Sequence, residues 1–496
     1  MATHTLEDWT ALATTTSPRG QAFINGDYVD SASGETFTAL NPATGARLAD
    51  VAACGEVDVD RAVTAARASF DAGVWSQASP AERKRVLLRF AELVQERTDE
   101  LALLVSQEMG KLVMDAVFVD VPFTAGCIQW YAEATDKVYG EIAATAPGDL
   151  AMITREPLGV VAAIVPWNFP LNIAAWKIAP ALAAGNSVVL KPAEQSSLSA
   201  LVLGQLAVEA GIPPGVLNVV TGIGESTGQA IGRHVGIDCL TFTGSTPVGK
   251  RLMSYAAESN LKQVWLECGG KSANIVFADT ENLAAAADKA CQGIFFNQGE
   301  VCSANSRLLV ERSIKDEFLS LVIERAARIR PGNPLDPAST LGAMAGRVHT
   351  DRVMAAIAAG RDDATLALGG SRVSVGTSDC FVEPTVFDDV PNSARIAQDE
   401  VFGPVLAVIG FDTEDEAVRL ANESPYGIAA SVWTDGLSRA HRVAARLHVG
   451  TVSVNTMDAM SNQTPFGGVK QSGFGRDLSL HALNQYTALK TTWINY

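Results

Sequence analysis

The sequence predicts an α/β protein whose core is a doubly wound, mostly parallel sheet. Two observations support this fold class: short runs rich in β-branched residues begin after Pro157, and stretches with helical periodicity separate them. Such alternation is typical of parallel strands joined by helices. The strand-like runs are GVVAAIV, SVVLKP, LNVVTG, CLTFTG, VWLECGG and ANIVF, and the helical stretches between them include LSALVLGQLAVEAG and VGKRLMSYAAESN.

Three of the predicted strands are followed by segments that suit a ligand site. In doubly wound sheets, ligands bind beyond the carboxyl ends of the strands, where loops carry glycine and polar groups. The segments at these ends are PWNFP, KPAEQS and FTGSTPVG.

The regions on either side of this sheet have their own patterns. Between Asp58 and Gly110, apolar residues at spacings of three and four predict two amphipathic helices, DVDRAVTAARASFDA and a long one from Ser79 to Gly110. A second α/β segment is expected from about Lys271 to Gly468. DLAMITREP and the final YTALKTTWINY alternate apolar and polar residues, which predicts strands that pair with each other or with another subunit.

Composition narrows the class of protein. The chain has 496 residues, enough for two or three domains, and 55 acidic against 38 basic side chains give a formal net charge of −17. This balance argues against nucleic acid as a partner. The seven cysteines are scattered without a C-x-x-C pair, which predicts a reducing compartment and no metal site. We expect a cytoplasmic protein that does not bind membranes, because no signal-peptide core or bilayer-length apolar run is visible.

Cys302 is the first candidate for chemistry. It lies in NQGEVCSANSR, a small polar segment between a helix-like run and the strand-like SRLLVERS. A thiol in such a loop is accessible and can approach backbone amides, as a nucleophile requires. The alternative is a loop cysteine without a function.

Three further side chains suit a role beside a nucleophile. Glu267 ends an apolar strand before two glycines, where burial should raise its pKa toward that of a general base; it is otherwise a surface carboxylate. Asn168, between two prolines, is a possible oxyanion donor or a turn cap. Lys177 lies within an apolar run and needs a partner or a task, unless its ammonium extends to the surface.

The cofactor evidence from glycine spacing is weak. FTGSTPVGK places small residues between a strand and a helix, where phosphate can meet backbone N–H groups, but it is neither a Walker loop nor the G-x-G-x-x-G fingerprint. VTGIGESTG misses that fingerprint too. Lys191 and Glu194 follow a neighbouring strand and are suited to hold ribose hydroxyls, and the acidic residue favours NAD over NADP. Alternatively, this pair is a helix-entry cap with a solvated lysine.

The combination of motifs resembles the aldehyde dehydrogenase superfamily over essentially the whole chain. The texture is closest to bacterial γ-glutamyl-γ-aminobutyraldehyde (ω-aminoaldehyde) dehydrogenases. The motifs that carry the resemblance, in the family's order, are PWNFPL, ALAAGNSVVLKPAEQS, GVLNVVTG, FTGSTPVG, LECGGKSANIVFAD, FFNQGEVCSANSR, EVFGPV, NESPYGIAASVWT and PFGGVKQSGFGRD.

The resemblance implies a mechanism. Cys302 attacks the aldehyde, Asn168 and the Cys302 N–H hold the oxyanion, hydride passes to the nicotinamide, and Glu267 activates the water that hydrolyses the thioester. Lys177 is expected to be the fourth catalytic residue. The cofactor is NAD, with NADP possible, and its expected contacts are Ile164, Pro166, Trp167, Lys191, Glu194, Gly224, Gly244, Ser245, Gly249, Glu400 and Phe402.

The resemblance also implies a substrate and an architecture. A tunnel lined by Phe123 and by Asp120, Phe169, Trp176, Val301, Asp458 and Phe466 would lead to the thiol, with the two aspartates attracting an amino or guanidino end unless they face solvent or cap turns. Such an activity belongs to polyamine catabolism. The expected units are a Rossmann-type cofactor domain (1–139 and 159–270), an α/β catalytic domain (271–470) and oligomerisation strands (140–158 and 484–496) of a homodimer or homotetramer.

Two other functions stay open at this point. A CoA-acylating relative would transfer the thioester to a thiol, although Glu267 argues against that. A non-catalytic, crystallin-like structural relative is the second, although Cys302, Glu267 and Asn168 are all intact. One departure from the family pattern is Cys268, which replaces the leucine of LELGG and, by strand alternation, should point away from the site.

Overall fold

The computed structural model describes residues 4–496. Residues 1–3 lie outside this part. They belong to the N-terminal segment in which no signal-peptide core was predicted and to the predicted cofactor domain. The helices in the described part are α1 (Leu6–Thr15), α2 (Glu56–Asp71), α3 (Pro80–Glu96), α4 (Thr98–Met109), α5 (Val113–Asp115), α6 (Val121–Ala134), α7 (Pro170–Ala184), α8 (Ser197–Glu209), α9 (Gln229–Arg233), α10 (Thr246–Glu258), α11 (Leu283–Phe295), α12 (Lys315–Ala326), α13 (Arg347–Asp363), α14 (Arg395–Gln398), α15 (Glu414–Asn422) and α16 (Leu437–Arg446).

The strands form three larger sheets and two hairpins. They are β1 (Ala22–Ile24), β2 (Asp27–Val29), β3 (Thr36–Leu40), β4 (Arg47–Ala52), β5 (Glu141–Ala143), β6 (Asp149–Pro157), β7 (Val160–Ile164), β8 (Ser187–Lys191), β9 (Leu217–Val219), β10 (Cys239–Thr243), β11 (Gln263–Glu267), β12 (Ala273–Val276), β13 (Arg307–Glu311), β14 (Thr365–Leu368), β15 (Arg372–Val375), β16 (Ser378–Val382), β17 (Thr385–Asp388), β18 (Val405–Phe411), β19 (Ala429–Trp433), β20 (Thr451–Val454), β21 (Gly473–Phe474) and β22 (Thr487–Asn495).

The first sheet is the doubly wound sheet that the sequence predicts. Its order is β2-β1-β9-β8-β7-β10-β11-β21, and the pairs from β9 to β11 are all parallel. Strands β7, β8, β9 and β10 are buried along their whole length, because helices cover both faces of a parallel sheet. This explains why their sequences read as unbroken apolar runs.

The second sheet contains the rest of the α/β core. Its order is β14-β17-β18-β13-β12-β19-β20, with only the β14–β17 pair antiparallel. The chain passes from the first sheet to the second between Glu267 and Ala273, and it returns to the first sheet when β21 pairs with β11. The division into domains at the expected boundaries stays a prediction.

The third sheet joins the two segments that alternate apolar and polar residues. β22 pairs with β6 in antiparallel register from Thr487–Pro157 to Asn495–Asp149, and β5 pairs with the other edge of β6. The structure therefore confirms that the two segments pair with each other.

One predicted helix is in fact two. The run from Ser79 to Gly110 divides at Arg97, whose backbone (φ −98°, ψ 26°) leaves the helical region between α3 and α4. The expected ends are correct: the Ser79 side chain accepts a hydrogen bond from the Glu82 N–H, and Gly110 ends α4 with φ +84°. The apolar pattern continues through the break, so it gave no sign of it.

Two kinds of feature are absent from residues 4–496. None of the helices there combines the length and the apolar composition that crossing a bilayer requires. That part of the chain also has no group of three or more His, Cys, Asp or Glu side chains arranged to hold a metal ion.

Candidate active site

Cys302 lies in a loop with unusual backbone geometry. After α11 ends at Phe295, Asn297, Gln298 and Gly299 all adopt positive φ angles of 49°, 57° and 73°. Non-glycine residues rarely adopt this conformation, and strain of this kind concentrates at functional sites. Cys302 follows as a half-buried thiol, and β13 begins at Arg307. The helix-to-strand position expected for this cysteine is therefore correct.

Two glycines after β11 allow Glu400 and the Cys302 backbone to approach the end of this strand closely. A Cβ on Gly269 would overlap the carboxylate of Glu400, and a Cβ on Gly270 would overlap the Cys302 carbonyl oxygen. The Gly270 N–H also donates to Glu400 Oε1 over 2.8 Å. Only glycine permits this approach, so the pair brings the end of β11, Glu400 and the Cys302 backbone together.

Glu267 is buried at the end of β11, with 4% of its surface exposed. Burial raises its pKa well above the ordinary value, and the nearby Asp477 adds to the shift, in the direction that the sequence predicts. A Cβ on Gly467 would overlap Glu267 Oε1. Among residues 4–496, neither carboxylate oxygen has a hydrogen-bond partner of normal geometry. An unpartnered buried carboxyl is suited to holding and activating a water.

Lys177 has a buried partner that the sequence does not indicate. Its Nζ lies 2.5 Å from Asp477 Oδ2, and the two side chains are 2% and 1% exposed. The pKa of Glu267 responds to both charges, so the pair lies beside that carboxyl. Asp477 comes from the segment that returns to the first sheet, far along the chain, and no local pattern links it to Lys177.

Asn168 faces the nucleophile loop. Its Nδ2 donates to the Glu300 carbonyl oxygen over 2.9 Å, and Asn297 Nδ2 donates to the Asn168 carbonyl oxygen over 3.2 Å. An amide nitrogen carries two hydrogens, so the bond to Glu300 leaves one for another acceptor. The amide is thereby fixed against the Cys302 loop.

A cavity of about 320 Å³ opens over Cys302. It brings together eight residues named from the sequence: Pro166, Trp167, Asn168, Gly244, Ser245, Cys302, Glu400 and Phe402. The sequence did not single out its other lining residues as contacts: Ile173, Thr243, Cys268, Gly269, His349, Arg352, Ala356 and Val401. His349 and Arg352 belong to α13, whose amphipathic pattern carries no motif that would have pointed to a site.

The cavity fits a dinucleotide. Thr243 Oγ1 is buried there without a hydrogen-bond partner in the described part of the chain, so a donor or acceptor is available to a ligand. The cavity also borders the N-terminus of α10, where Ser245 makes no side-chain cap and the first amides are open to an anion. A neighbouring cleft of about 630 Å³ shares Trp167 and extends to Glu194.

The other expected cofactor residues have different surroundings. Lys191 is buried, donates to the Pro192 carbonyl oxygen over 3.0 Å, and has its pKa lowered by burial. Ile164 is the buried last residue of β7, and Gly224 is exposed at the start of a π-helical turn. Gly249 lies inside α10, where a Cβ would stand 3.1 Å from Cys268 Sγ. The structure therefore gives Gly249 a helix–strand packing role, and its expected contact with the cofactor stays a prediction.

Cys268 lies against α10 and also lines the cavity, so its expected orientation away from the site stays a prediction. Its side chain packs with Leu266 against Gly249, on the opposite side of β11 from the Glu267 carboxyl. Burial raises its pKa to about 12, which keeps the thiol protonated.

Aromatic rings cluster on the expected substrate side. The Trp176 and Phe466 rings have centroids 5.2 Å apart, and Phe123 lies 6.4 Å from Trp176. Phe169 stands over the Lys111 ammonium at 3.8 Å, and Val301 is half-buried in the adjoining core. Trp176 Nε1 is buried without a hydrogen-bond partner in the described range, which leaves one polar group in this apolar wall.

The two aspartates expected to attract a cation differ. Asp120 is fully buried, and its Oδ1 lies 2.6 Å from Lys111 Nζ, so its charge is already balanced. This ion pair argues against the expectation that Asp120 binds the substrate, which stays a prediction. Asp458 lies close enough to Cys302 to raise the pKa of the thiol, and burial raises the pKa of Asp458 itself.

The thiol of Cys302 is protonated in this arrangement. Burial raises its pKa, and the carboxylates of Asp458, Glu267 and Glu400 add to the shift in that order. A neighbouring base is therefore needed to form the thiolate. Glu400 has its own pKa raised to about 7 by burial.

Comparison with known proteins identifies the family of this chain. The model of the aldehyde dehydrogenase family matches residues 28–492. The chain is 51% identical over 492 residues to the NADP/NAD-dependent aldehyde dehydrogenase PuuC of Escherichia coli, covering 99% of both chains.

Two solved structures are similar to this chain in both sequence and fold. One is an indole-3-acetaldehyde dehydrogenase in complex with NAD+, with 54% identity, a TM-score of 0.99 and complete coverage of both chains. The other is a γ-glutamyl-γ-aminobutyraldehyde dehydrogenase of Burkholderia cenocepacia, with 53% identity, a TM-score of 0.98 and coverage of 99% of this chain and 100% of that one. With its cysteine, carboxyl and dinucleotide cavity in these positions, the chain belongs to the aldehyde dehydrogenase family.

Proposed function

We propose that this NAD-dependent aldehyde dehydrogenase oxidises an aliphatic aldehyde with an ω-amino, guanidino or acylamino end, and that Cys302 is its nucleophile. The observation that carries the proposal is the position of Cys302: its thiol lines the dinucleotide cavity, and its pKa responds to both Glu267 and Asp458. The aldehyde, NAD and a basic carboxylate therefore all have access to the Cys302 sulfur.

The chain's own groups account for each step of the reaction. A neighbouring carboxylate takes the thiol proton of Cys302, and the resulting thiolate forms a bond to the aldehyde carbon. The free hydrogen of the Asn168 amide and the Cys302 N–H stabilise the oxyanion. NAD supplies the hydride acceptor when bound. The product of hydride loss is a thioester on Cys302, which water must cleave to release the acid.

Glu267 is proposed to activate that water. The base must be able to take a proton from water, and burial raises the pKa of Glu267 above its ordinary value, which increases the affinity of the carboxylate for a proton. Lys177 and Asp477 hold opposite charges beside it. We assign Lys177 a positioning role through this pair, because its ammonium is engaged by Asp477 rather than directed at a substrate.

The NAD contacts are proposed residue by residue. Glu400 and Phe402 would hold the nicotinamide ribose, Gly244 and Ser245 the pyrophosphate, and Lys191 with Glu194 the adenosine ribose. Pro166, Trp167, Ile164 and Gly224 would complete the groove. The acidic Glu194 supports NAD over NADP, because a 2′-phosphate would meet its charge.

The substrate proposal rests on Asp458 and on the aromatic wall. The Trp176, Phe466 and Phe169 rings suit an extended carbon chain, with Val301 beside the thiol. Asp458 is the carboxyl on this side that no lysine or arginine balances within 4 Å in the described residues. A cationic end would restore the ionised form that burial disfavours.

The setting of the enzyme is part of the proposal. Strands β5, β6 and β22 carry exposed apolar side chains, including Ile142, Leu489 and Trp493 at 74%, 61% and 61% exposure. We assign this sheet to a homodimer or homotetramer interface, and we place the protein in the cytoplasm.

Two experiments test the proposal. Cys302→Ser should abolish aldehyde-dependent NADH formation while NAD still quenches tryptophan fluorescence; retained turnover would contradict the assigned nucleophile. A panel of aldehydes matched in length, with and without a terminal cation, tests the substrate class. We expect higher kcat/KM for the cationic members, and equal values would exclude the role of Asp458.

A further inference from the structure

Two loops that frame the cavity touch each other behind it. The nucleophile loop, residues 297–302, contains the three left-handed residues, and the cofactor loop, residues 400–404, contains Glu400 and Phe402. A Cβ on Gly299 would overlap the Gly403 carbonyl, so the loops are in direct backbone contact. Phe402 also has a positive φ of 57°, a conformation that needs support from its surroundings.

His349 joins these loops. From the first turn of α13, its Nε2 lies 2.7 Å from the Phe402 carbonyl oxygen and 3.5 Å from Glu300 Oε1. Its ring packs against both the Trp167 and the Phe402 rings, with centroids 5.1 and 6.0 Å away. One imidazole thus contacts the residue before Asn168, the nucleophile loop and the cofactor loop.

The hydrogen-bond pattern fixes the state of this ring. A carbonyl oxygen only accepts, so Nε2 carries the hydrogen and donates it to Phe402. Burial lowers the pKa of His349 to about 4, so the ring is neutral near pH 7. With its hydrogen given to the protein backbone, this nitrogen is not a donor for a ligand.

Glu300 anchors the other side of the link. Its carboxyl is fully buried, accepts from the Ala345 N–H over 3.0 Å, and lies 3.4 Å from Gln298 Nε2. Its carbonyl oxygen accepts the Asn168 amide. Glu300 therefore connects α13 to the oxyanion amide and to the backbone two residues before Cys302.

We propose that His349 is a positioning residue that sets the distance between the nicotinamide wall at Phe402 and the nucleophile at Cys302. It acts through the Phe402 carbonyl and Glu300, because its Nε2 hydrogen is already donated to Phe402. Hydride transfer requires both partners at close range, so a small displacement of one loop lowers the rate steeply. The inference rests on the proposed role of Cys302.

The test compares two reactions of the same thiol in the full-length enzyme. NADH formation from an aldehyde needs both loops in their correct relative positions. Acylation of the thiol by a nitrophenyl ester, which is measured through the nitrophenolate released in that step, needs only the nucleophile. The variants are His349→Leu and His349→Met, which lack a donor, and His349→Gln, whose amide reaches the Nε2 position. His441→Leu, at an exposed histidine of α16, is the matched control.

We expect the ratio of NADH formation to ester acylation to fall about tenfold in the Leu and Met variants, the effect of one buried hydrogen bond. His349→Gln should recover most of the ratio, and His441→Leu should keep it. An unchanged ratio in the Leu and Met variants, or an equal fall in the Gln variant, would overturn the proposal. Failure of the nucleophile assignment is distinguishable, because Cys302→Ser would then retain ester acylation.

A double-mutant cycle tests the Glu300 side of the link. If the two residues act as one connection, Glu300→Gln combined with His349→Leu should lower the ratio by less than the product of the single effects. Multiplicative effects would show that the residues act independently and would contradict the link.

Discussion

Lys177 Nζ and Asp477 Oδ2 are 2.5 Å apart in a site where both side chains are almost fully buried. This ion pair joins α7 to the chain segment that follows β21, and it lies beside Glu267. The charges of Lys177 and Asp477 balance each other, so the carboxyl of Glu267 is the group left to exchange a proton with water. The arrangement ties the stability of the core to the chemistry of thioester cleavage.

Removal of Asp477 should be costly. Asp477→Asn leaves the buried Lys177 ammonium without its counter-charge, which typically destabilises a protein by about 3–5 kcal/mol. Urea unfolding at fixed protein concentration measures the change. Asp136→Asn breaks the exposed Lys137–Asp136 pair of the same 2.5 Å length and should leave the midpoint unchanged. Equal midpoints for the two variants would contradict the structural role of the buried pair.

Gly269 should tolerate no side chain. Gly269→Ala places a methyl group against the Glu400 carboxylate, and overpacking of about 1–3 kcal/mol corresponds to roughly 5- to 150-fold weaker NAD binding. Fluorescence titration with NAD measures this loss. Gly55→Ala, where a Cβ meets nothing within 4 Å, is the control and should bind normally. Normal binding by both variants would mean that Glu400 does not hold the cofactor.

His349 should make stability depend on pH. Its pKa falls from 6.5 to about 4 on folding, so its contribution is complete above pH 6.5 and is lost as the pH falls toward 4. The loss is on the order of 3 kcal/mol. The buried Glu300 carboxyl lies 3.5 Å from the ring nitrogen, and the exposed Arg352 lowers the pKa of His349 further.

The comparison is between parent and His349→Gln at pH 7.5 and pH 4.5. Acidification should destabilise the parent more than the variant, because glutamine takes up no proton. Parallel losses in the two proteins would show that the ring is already charged in the fold.

Asp458 should govern discrimination between substrates. Asp458→Asn removes the carboxyl that would pair with a cationic end, so kcat/KM should fall about tenfold or more for an ω-amino aldehyde. A neutral aldehyde of equal length should be affected much less, because it makes no such pair. Asp120→Asn is the informative contrast, since its charge is bound to Lys111 and its loss should affect stability rather than selectivity. A uniform fall for both aldehydes in Asp458→Asn would contradict the proposal.

The sheet and the order of the motifs were predictable from the sequence because they are local properties. Buried parallel strands such as β7 and β8 read as apolar runs, and Glu267, Gly269 and Gly270 follow a strand directly. The pattern also placed Cys302 in the correct kind of loop. These features depend on residues that are neighbours in the chain.

Long-range partners were not predictable. Asp477 meets Lys177 across 300 positions, and Lys111 neutralises Asp120 through a turn with no recognisable motif. His349 entered the site because α13 begins beside Glu300 and Phe402, a fact of packing rather than periodicity. The prediction of the substrate contacts was affected most, because long-range charge pairs decide which aspartate is available to bind a cationic substrate.

The most direct test of the central claim uses Glu267→Gln in a rapid-mixing experiment with aldehyde and NAD. The variant should form NADH in a stoichiometric burst and then stop, because the thioester no longer has a base to activate water. Mass spectrometry of the quenched protein should show the acyl group on the peptide that contains Cys302. Steady turnover without a burst, or an acyl group on another residue, would contradict the account.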